Sequence, residues 1–341
     1  MKKCVLILCV MLSFNAKADD EITIVAQTDP NDATTKCGDN CTWTLYSDGR
    51  LEISGKGDMY NFDQWQQDTF VYKTDWRTDS PWVDFSSSIN EINIADGITS
   101  IGRYSFWDTA VTTASLPNSI KKVGHGAFQY SDLQQVNLPV SLEEISHAAF
   151  HESYVSDLVI PETVTSIGTH AFGSPSLKNL TIEGNVNINE SMFHCDGGYA
   201  VSPLLNNIYC LSSNESCNAL KTDVNIGSKI TSYTKESGVY RLEDGTMFAS
   251  PNDMMNGTNA CSNLDSCKAT VLKNKGYCTS DESCMAMVDL ENANAPIEYK
   301  NKSYASIDDL LKGKYMPKRI YTIDEANAVA GKVNSVKIRY R

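Results

Sequence analysis

Cysteines are the residues of this sequence whose spacing most plainly suggests chemistry. The chain has 341 residues and 11 cysteines, and eight of these fall into close pairs. Two nearby thiols can close a disulfide or supply two of the four ligands of a zinc ion. Three to six residues, several of them acidic, separate the members of each pair, which favours disulfides over zinc. The candidate disulfide cysteines are Cys37 and Cys41, Cys210 and Cys217, Cys261 and Cys267, and Cys278 and Cys284. Of the other three cysteines, Cys4 and Cys9 lie in the predicted signal peptide, and Cys195 is left over. The partners stay open, because Cys195 is either a buried thiol or an alternative partner for Cys210.

Histidines form the second group, and the chain has five of them. His125 and His147 are 22 residues apart and His170 follows after 23, so we expect the first two to stack near each other. Two imidazoles without a third ligand make a weak metal site, and polar loop positions explain them better. His194 beside Cys195 suggests a thiol nucleophile, but sequence neighbours rarely face each other.

Catalytic fingerprints are absent from the sequence: there is no G-x-S-x-G, H-E-x-x-H, phosphate-binding loop or dinucleotide motif. We therefore expect no catalytic residues, no cofactor and no metal, and a protein that is not an enzyme. An enzyme housed in residues 196–295 is the least favoured alternative.

A repeat of about 22 residues must position these side chains. Each copy reads [ILV]-x-x-[ILV]-x-[ILV]-P-x-x-[ILV]-x-x-[IV]-G-x-x-A-F, which predicts a short strand, a proline stop, a corner at Gly102, Gly124 or Gly168, and a helical or 3-10 turn with an inward phenylalanine. One coil cannot bury its apolar face alone, so the copies must stack into a repeat solenoid, mainly β. The five anchoring residues are Phe106, Phe128, Phe150, Phe172 and Phe193.

Three phrases carry a family resemblance: LPNSIKKVGHGAF (116–128), LPVSLEEISHAAF and IPETVTSIGTHAF. They resemble the BspA-type leucine-rich repeat family. CGDNCTWTLYSDGRLEISGKGDM (37–59) is similar to the β-hairpin module that often precedes such arrays, and SPWVDFSSSINEINIADGITSIG to its junction with the first repeat. The resemblance implies a leucine-rich repeat fold, and secreted or surface proteins that bind and adhere, without common catalytic residues.

The N-terminus predicts export. Lys2-Lys3 precede an apolar run from Cys4 to Phe14, and Ala16-Lys17-Ala18 is a small-x-small cleavage site. The run is too short to cross a bilayer, so we expect no transmembrane segment in the mature chain. The predicted location is secreted, cell-surface or periplasmic, and the short Lys-Lys signal favours a bacterial source.

Composition and pattern divide the chain into six expected segments. These are a signal peptide (1–18), an acidic leader (19–36), an N-terminal β cap module (37–85), five leucine-rich repeats (86–195), irregular coils with a Cys-rich β region (196–295) and a small C-terminal α+β unit (296–341).

Two of these segments have alternative interpretations. Trp43, Trp65, Trp76 and Trp82 form an aromatic group that could hold a sugar or, as we prefer, seal the end of the solenoid. The basic tail VKIRYR is either a sorting or anchoring signal or part of a closing unit.

The net charge of −13 opposes binding to nucleic acid or to anionic membranes. We expect a protein or glycan partner on a host, matrix or neighbouring-cell surface. A structural envelope component held by its tail is the alternative.

The outward side of the stacked strands is the predicted contact surface, and we name it the strand strip. It is polar, gently acidic and without aromatic anchors, so we expect weak or multivalent contact there. The strand strip consists of Glu91, Asn93, Thr113, Ser115, Gln135, Asn137, Asp157, Val159, Asn179 and Thr181.

Overall fold

The computed structural model describes residues 22–66, 76–195 and 201–316, and the side chains of 64–66 and 76–77 are not described. The predicted signal peptide (1–18), the side chains of Trp65 and Trp76 and the tail 317–341 lie outside the described part.

Short strands dominate the described residues up to Phe248, and α-helices follow. The strands are β1 (Ile24–Gln27), β2 (Asn40–Tyr46), β3 (Arg50–Asp58), β4 (Gln64–Gln66), β5 (Trp76–Thr78), β6 (Glu91–Ile94), β7 (Ile98–Ile101), β8 (Thr113–Ser115), β9 (Lys122–Val123), β10 (Gln135–Val136), β11 (Glu144–Ile145), β12 (Asp157–Ile160), β13 (Ser166–Ile167), β14 (Asn179–Ile182), β15 (Asn207–Leu211), β16 (Ile230–Glu236), β17 (Val239–Leu242), β18 (Met247–Phe248), β19 (Ile297–Tyr299) and β20 (Lys302–Tyr304). The α-helices are α1 (Glu215–Ala219), α2 (Pro251–Asn256), α3 (Leu264–Asn274), α4 (Asp281–Asn292) and α5 (Ile307–Leu311). Short 3-10 helices span Ala33–Thr35, Val83–Ser88, Glu190–Phe193, Leu220–Thr222 and Gly227–Lys229.

Each coil of the array has three sides. The first side carries the parallel strands β6, β8 and β10, and then β12, β14, β15 and β16. The second carries β7, β9, β11 and β13, also parallel. The third side is a tight turn, which donates backbone hydrogen bonds to the next coil, such as Phe128 N to Ala149 O at 2.9 Å. We call this third side the turn face.

A spine of phenylalanine rings fills the core behind the turn face. The rings of Phe106, Phe128, Phe150, Phe172 and Phe193 follow one another at centroid distances of 5.1, 5.5, 6.4 and 6.4 Å, and all five are buried. Trp82 extends the spine, because its buried ring stacks on Phe106 at 5.4 Å. Burying each phenylalanine contributes roughly 1.5–3 kcal/mol.

The glycines predicted at the corners have a different role. Gly102, Gly124 and Gly168 do not have left-handed backbone angles; instead, a Cβ at Gly102 would meet the Tyr60 carbonyl oxygen at 1.7 Å, and one at Gly168 would meet His147 N at 2.3 Å. These positions therefore need glycine because neighbouring coils approach too closely for a side chain. The left-handed residues come two positions later, at Tyr104, Gly126, Ala148 and His170.

The N-terminal hairpin starts both parallel sheets. β2 and β3 pair antiparallel across Ser47-Asp48-Gly49, where Gly49 has a φ of 85°. The first half of β3 pairs with β6, and Gly57 and Asp58 at its end pair with β7. The segment 19–36, predicted as a loose leader, is not wholly loose, because Ile24–Gln27 adds β1 to the edge of β2.

The stretch 251–295, predicted as a loop-heavy part of a Cys-rich β region, is helical instead. Asn263 caps α3 and Ser280 caps α4, each in a capping box with the serine three residues later. The helices pack on each other through buried residues such as Leu272 and Val288. Their apolar stripes are short and contain cysteine and methionine, so they do not give a clear period in the sequence. We call residues 251–316 the C-terminal unit.

Disulfides join the eight paired cysteines as neighbours: Cys37–Cys41, Cys210–Cys217, Cys261–Cys267 and Cys278–Cys284. The last two tie the first turns of α3 and α4 to the loops before them. Cys195 is outside these bonds, and its Sγ lies 4.0 Å from Ser202 Oγ.

Candidate binding surfaces

The strand strip is open along only part of its length. Ser115, Gln135, Asn137 and Asp157 are exposed, and Glu91, Asn93 and Thr113 are half-buried. Several of these polar groups bond to one another along the strip. Asn93 Nδ2 donates to Glu91 Oε1 at 2.7 Å, and Asn179 Nδ2 donates to Asp157 Oδ1 at 2.6 Å.

The prediction that the strip is exposed is wrong for Thr181, whose exposed fraction is 0%. The C-terminal unit covers this part of the sheet, because α2 packs against β14. Met254 and Met255 of α2 pack with Tyr209 and Tyr233, while Val159 is half-buried against the same cluster. A free strand face therefore extends only over β6, β8, β10 and the start of β12.

The turn face brings together all five histidines of the chain. The ring centroids of His125 and His147 are 4.8 Å apart, and those of His147 and His170 are 5.4 Å apart. His170 also contacts His151 at 5.6 Å and His194 at 5.9 Å. We call these five residues the histidine stack. The sequence predicted contact only between its first two members.

Backbone geometry explains why the rings align. Two left-handed residues bracket each turn: Tyr104 and Asp108 in one coil, and Gly126 and Tyr130 in the next. The side chains just before the first of these positions repeat their direction coil after coil, so His147 follows His125. His170 joins from one position later because it is itself the left-handed residue, with a φ of 58°.

Aromatic side chains continue the stack toward the N-terminal end. Tyr104 and His125 meet with centroids 5.1 Å apart, and the Tyr104 hydroxyl is 3.0 Å from His125 Nε2. Trp107 and Tyr130 meet edge to face at 6.1 Å, and Tyr130 reaches His151 at 6.0 Å. Together with the histidine stack, these three residues form a continuous group that we name the turn-face ribbon. His151 and His194 of this group are buried, and its other side chains are at least partly exposed.

Polar contacts hold the imidazoles of the ribbon in place. His147 Nδ1 is 2.6 Å from Thr169 Oγ1, and His151 Nδ1 is 3.2 Å from Gln129 Nε2. At the far end, His194 Nε2 is 3.7 Å from Glu190 Oε1. The ring directions of His147 and His151 are thus set by neighbours on adjacent coils.

Burial lowers the pKa of His125 below its ordinary value, and the neighbouring His147 and Arg103 lower it further. The pKa of His147 is also lowered, first by burial and then by His170, against a smaller opposing effect of a hydrogen bond with the Thr169 backbone. These two imidazoles are therefore neutral at neutral pH. Among the described residues no histidine, cysteine or carboxylate side chains are grouped to hold a metal ion.

A cleft of about 640 Å³ lies between the array and the C-terminal unit. Its floor contains Glu183, which binds Lys235 Nζ at 3.0 Å and accepts a short hydrogen bond from the Tyr240 hydroxyl. Burial, and then the charge of Glu183, raises the pKa of Tyr240. Lys312 on the rim pairs with Asp308 at 2.8 Å. Two of the three lysines that line the cleft are thus neutralised within the protein.

A membrane-crossing helix is not present in the described ranges, where every helix is too short or too polar to span a bilayer.

Solved structures similar to this chain include bacterial leucine-rich repeat proteins and a pneumococcal antigen. A leucine-rich repeat protein from Eubacterium ventriosum is 20% identical over 61% of this chain and 47% of that protein, with a TM-score of 0.35. The pneumococcal vaccine antigen PcpA is 24% identical over 42% of each chain, also with a TM-score of 0.35. A leucine-rich repeat protein from Bacteroides ovatus is 19% identical over 51% of this chain and 54% of that one, with a TM-score of 0.30.

The chain thus spans about half the length of these proteins. No curated protein matches the sequence.

Residues 84–197 match the family model of the BspA type leucine-rich repeat region in six copies, one more than the five phenylalanine-centred repeats of the sequence. The match covers the stacked coils that carry the turn-face ribbon and most of the strand strip. Residues 84–197 of this chain are therefore a BspA-type leucine-rich repeat region, with a fold built mostly from strands in curled parallel sheets.

Proposed function

We propose that this protein is exported and acts by binding a protein or glycan on a cell surface, with the turn-face ribbon as its contact surface. The observation that carries the proposal is the ribbon itself, in which Tyr104, Trp107 and Tyr130 adjoin a continuous run of imidazoles. Binding energy in protein interfaces concentrates on Tyr, Trp and Arg, and Arg103 lies over the Tyr104 ring at 5.9 Å.

The ribbon is held rigidly, which lowers the cost of binding. Each of its turns is hydrogen-bonded to the next coil at more than one point, as at Gly126 N to His147 O (3.0 Å) and Tyr130 N to His151 O (2.9 Å). A surface that is ordered before contact loses little conformational entropy on association.

Export is supported by the sequence and by the disulfides. The Lys2-Lys3 start and the Ala16-Lys17-Ala18 site are typical of a secretory signal, and four disulfides fit an oxidising compartment. The family resemblance points to the same class of location.

A screen for cell-surface ligands tests the proposal. Purified protein is applied to intact bacterial and host cells, to extracellular-matrix proteins and to a glycan array at pH 7.5. Because losing a central aromatic anchor costs about 2 kcal/mol or more, the variant Trp107→Ser/Tyr130→Ser should bind at least roughly 30-fold more weakly. Tyr315→Ser, which alters an exposed tyrosine of the C-terminal unit, is the matched control and should bind like the unaltered protein.

The open part of the strand strip is the second candidate surface, because Gln135 and Asn137 are exposed on consecutive outward positions. Gln135→Lys/Asn137→Lys changes this surface without touching the ribbon. If this variant loses binding and the ribbon variant keeps it, the strip is the contact surface. Failure of the unaltered protein to bind any component of the screen would refute the proposed function.

A further inference from the structure

We propose that the histidine stack is an acid-sensitive lock on the turn face: protonation of the stacked imidazoles loosens the turns that carry the ribbon and releases a partner held there. The loosening is a property of the chain itself, whereas the release of a partner rests on the proposed function. All five histidines of the chain form one contiguous group of ring contacts, so a charge on one ring acts on its neighbours.

Neutral imidazoles stack favourably, and protonated ones repel each other. The consecutive rings are 4.8 to 5.9 Å apart, well within the distance at which like charges interact when partly shielded from water. Burial also disfavours the charged form of His125 and of His147. Successive protonation thus becomes harder as the stack fills with charge, and each added proton favours an open form of the turns.

Charged and polar groups lie at both ends of the histidine stack. Arg103, on the coil before His125, adds a fixed positive charge, and the Tyr104 hydroxyl bonds the same imidazole. At the other end, Glu190 Oε1 lies 3.7 Å from His194 Nε2. Tyr130 contacts the His151 ring at a centroid distance of 6.0 Å, and Glu152 follows His151 in the sequence. The middle of the stack, at His147 and His170, is where like charges face each other most directly.

The turns also contain residues with strained backbone angles. Ala148 and His170 hold left-handed backbone angles, with φ of 52° and 58°, which non-glycine residues adopt at a cost. Repulsion between side chains of neighbouring turns therefore acts where the backbone is already strained. The stacked imidazoles are not on the parallel sheets that form the other two sides of the coil, so this repulsion does not act there.

The pH window follows from the direction of the shifts. The pKa values of His125 and His147 in the fold lie below the ordinary 6.5, so the unfolded chain binds more protons between those values. The stabilisation is complete above about pH 6.5 and is lost as the pH falls through 6.5 toward the lowered pKa values.

Thermal unfolding at pH 8.0, 7.0, 6.0 and 5.5 tests the lock without any partner. The melting temperature of the full chain should fall by roughly 5 °C between pH 8.0 and pH 5.5, and His125→Gln/His147→Gln should lose at least half of that fall. Glutamine keeps a polar side chain of similar reach but does not titrate. An unaltered melting temperature across this range, or a variant with the same fall as the parent, would overturn the inference.

Imidazole titration by NMR protects the test against a variant that does not fold. In the unaltered chain the five Cε1 protons should titrate over a broad range, with at least two midpoints below 6.5. Five independent titrations near 6.5 would contradict the lock.

Binding to the positive cells or array spots of the earlier screen is then repeated at pH 7.5 and 5.5, and retention at pH 5.5 would refute release. If nothing binds at pH 7.5, the proposed function fails while the melting and NMR results still decide on the lock.

Discussion

Single residues in this array act through their contact with the equivalent residue of the next coil. Phe128 is the clearest case, because its buried ring lies between Phe106 and Phe150 at 5.1 and 5.5 Å. A change at one such position is therefore felt on both neighbouring coils. The same holds for the glycines that allow coils to approach, and for the imidazoles of the histidine stack.

Phe128→Ala should lower the free energy of unfolding by about 3–5 kcal/mol, since it removes a ring from the middle of the spine and leaves a cavity. Chemical denaturation followed by circular dichroism measures the change. Tyr130→Ala, which removes a more exposed ring of the same turn, should cost much less. Equal costs for the two variants would show that the spine is not the main source of stability.

Gly102→Ala should cost about 1–3 kcal/mol, because its Cβ would lie 1.7 Å from the Tyr60 carbonyl oxygen and force the coils apart. Gly245→Ala is the matched comparison: nothing lies within 4 Å of its Cβ, but its φ is 89°. That variant should cost only about 1 kcal/mol, from backbone strain alone. Denaturant midpoints for the two variants test whether close approach or backbone angle sets the need for glycine.

Elements differ in how far the sequence predicts them. The strand, proline and Phe pattern predicts coils, since each column of apolar residues repeats, and the array has that parallel register, with Glu144 opposite both Lys122 and Ser166. The helices α3 and α4 were missed because their signals are local: an Asn or Ser cap, a partner serine and a disulfide at the first turn. Such caps can be recognised in a sequence when a close cysteine pair is taken as a sign that a helix begins between the two cysteines.

The candidate site was predictable only in part. The 22-residue spacing indicates that His125 and His147 stack, but the roles of His151, His170 and His194 depend on which residues are left-handed, and this is a property of the folded turn. Burial of Thr181 could not be predicted either, because the covering residues Met254 and Met255 are more than 70 positions away and show no repeat.

Removal of one helix disulfide, by Cys278→Ala/Cys284→Ala, should destabilise the C-terminal unit by about 2 kcal/mol. The loop is short, with a sequence separation of 6, so the entropy it removes from the unfolded chain is small. Hydrogen exchange should show faster opening of α3 and α4 with little change in the repeats. Cys195→Ser is the control and should leave both regions unchanged.

At the scale of the molecule, the described residues form a stacked array, and the C-terminal unit covers part of the first side of that array. The covering cluster joins the outward side chains of β15 and β16 to α2 and β18. Tyr233 of β16 joins this cluster to β14, donating a hydrogen bond to Ile182 O at 2.8 Å. The cover lies on the strands of the first side and not on the turn face, so the exposed residues of the turn-face ribbon are left accessible to a partner.

Met254→Lys should detach this cover, because Met254 is only 1% exposed and a charge there cannot be buried without a partner. Limited proteolysis should then cut within 251–316 at a rate at least about tenfold higher, while 84–195 stays intact. Asn256→Lys, at an exposed position of the same helix, is the control. Uniform digestion of the whole chain would show that array and cover unfold together.

β3 pairs with a strand on each of two sides of the first coil: its first half lies beside β6 and its end beside β7. The N-terminal hairpin therefore sets the strand alignment at the start of both sides. Within each parallel ladder, every later strand keeps the alignment of the strand before it. A duplication of one complete coil between Phe106 and Phe150 would therefore lengthen the molecule, and a loss would shorten it, without disturbing the N-terminal hairpin. Such a change would alter the length of the stacked array and the number of imidazoles on its turn face together.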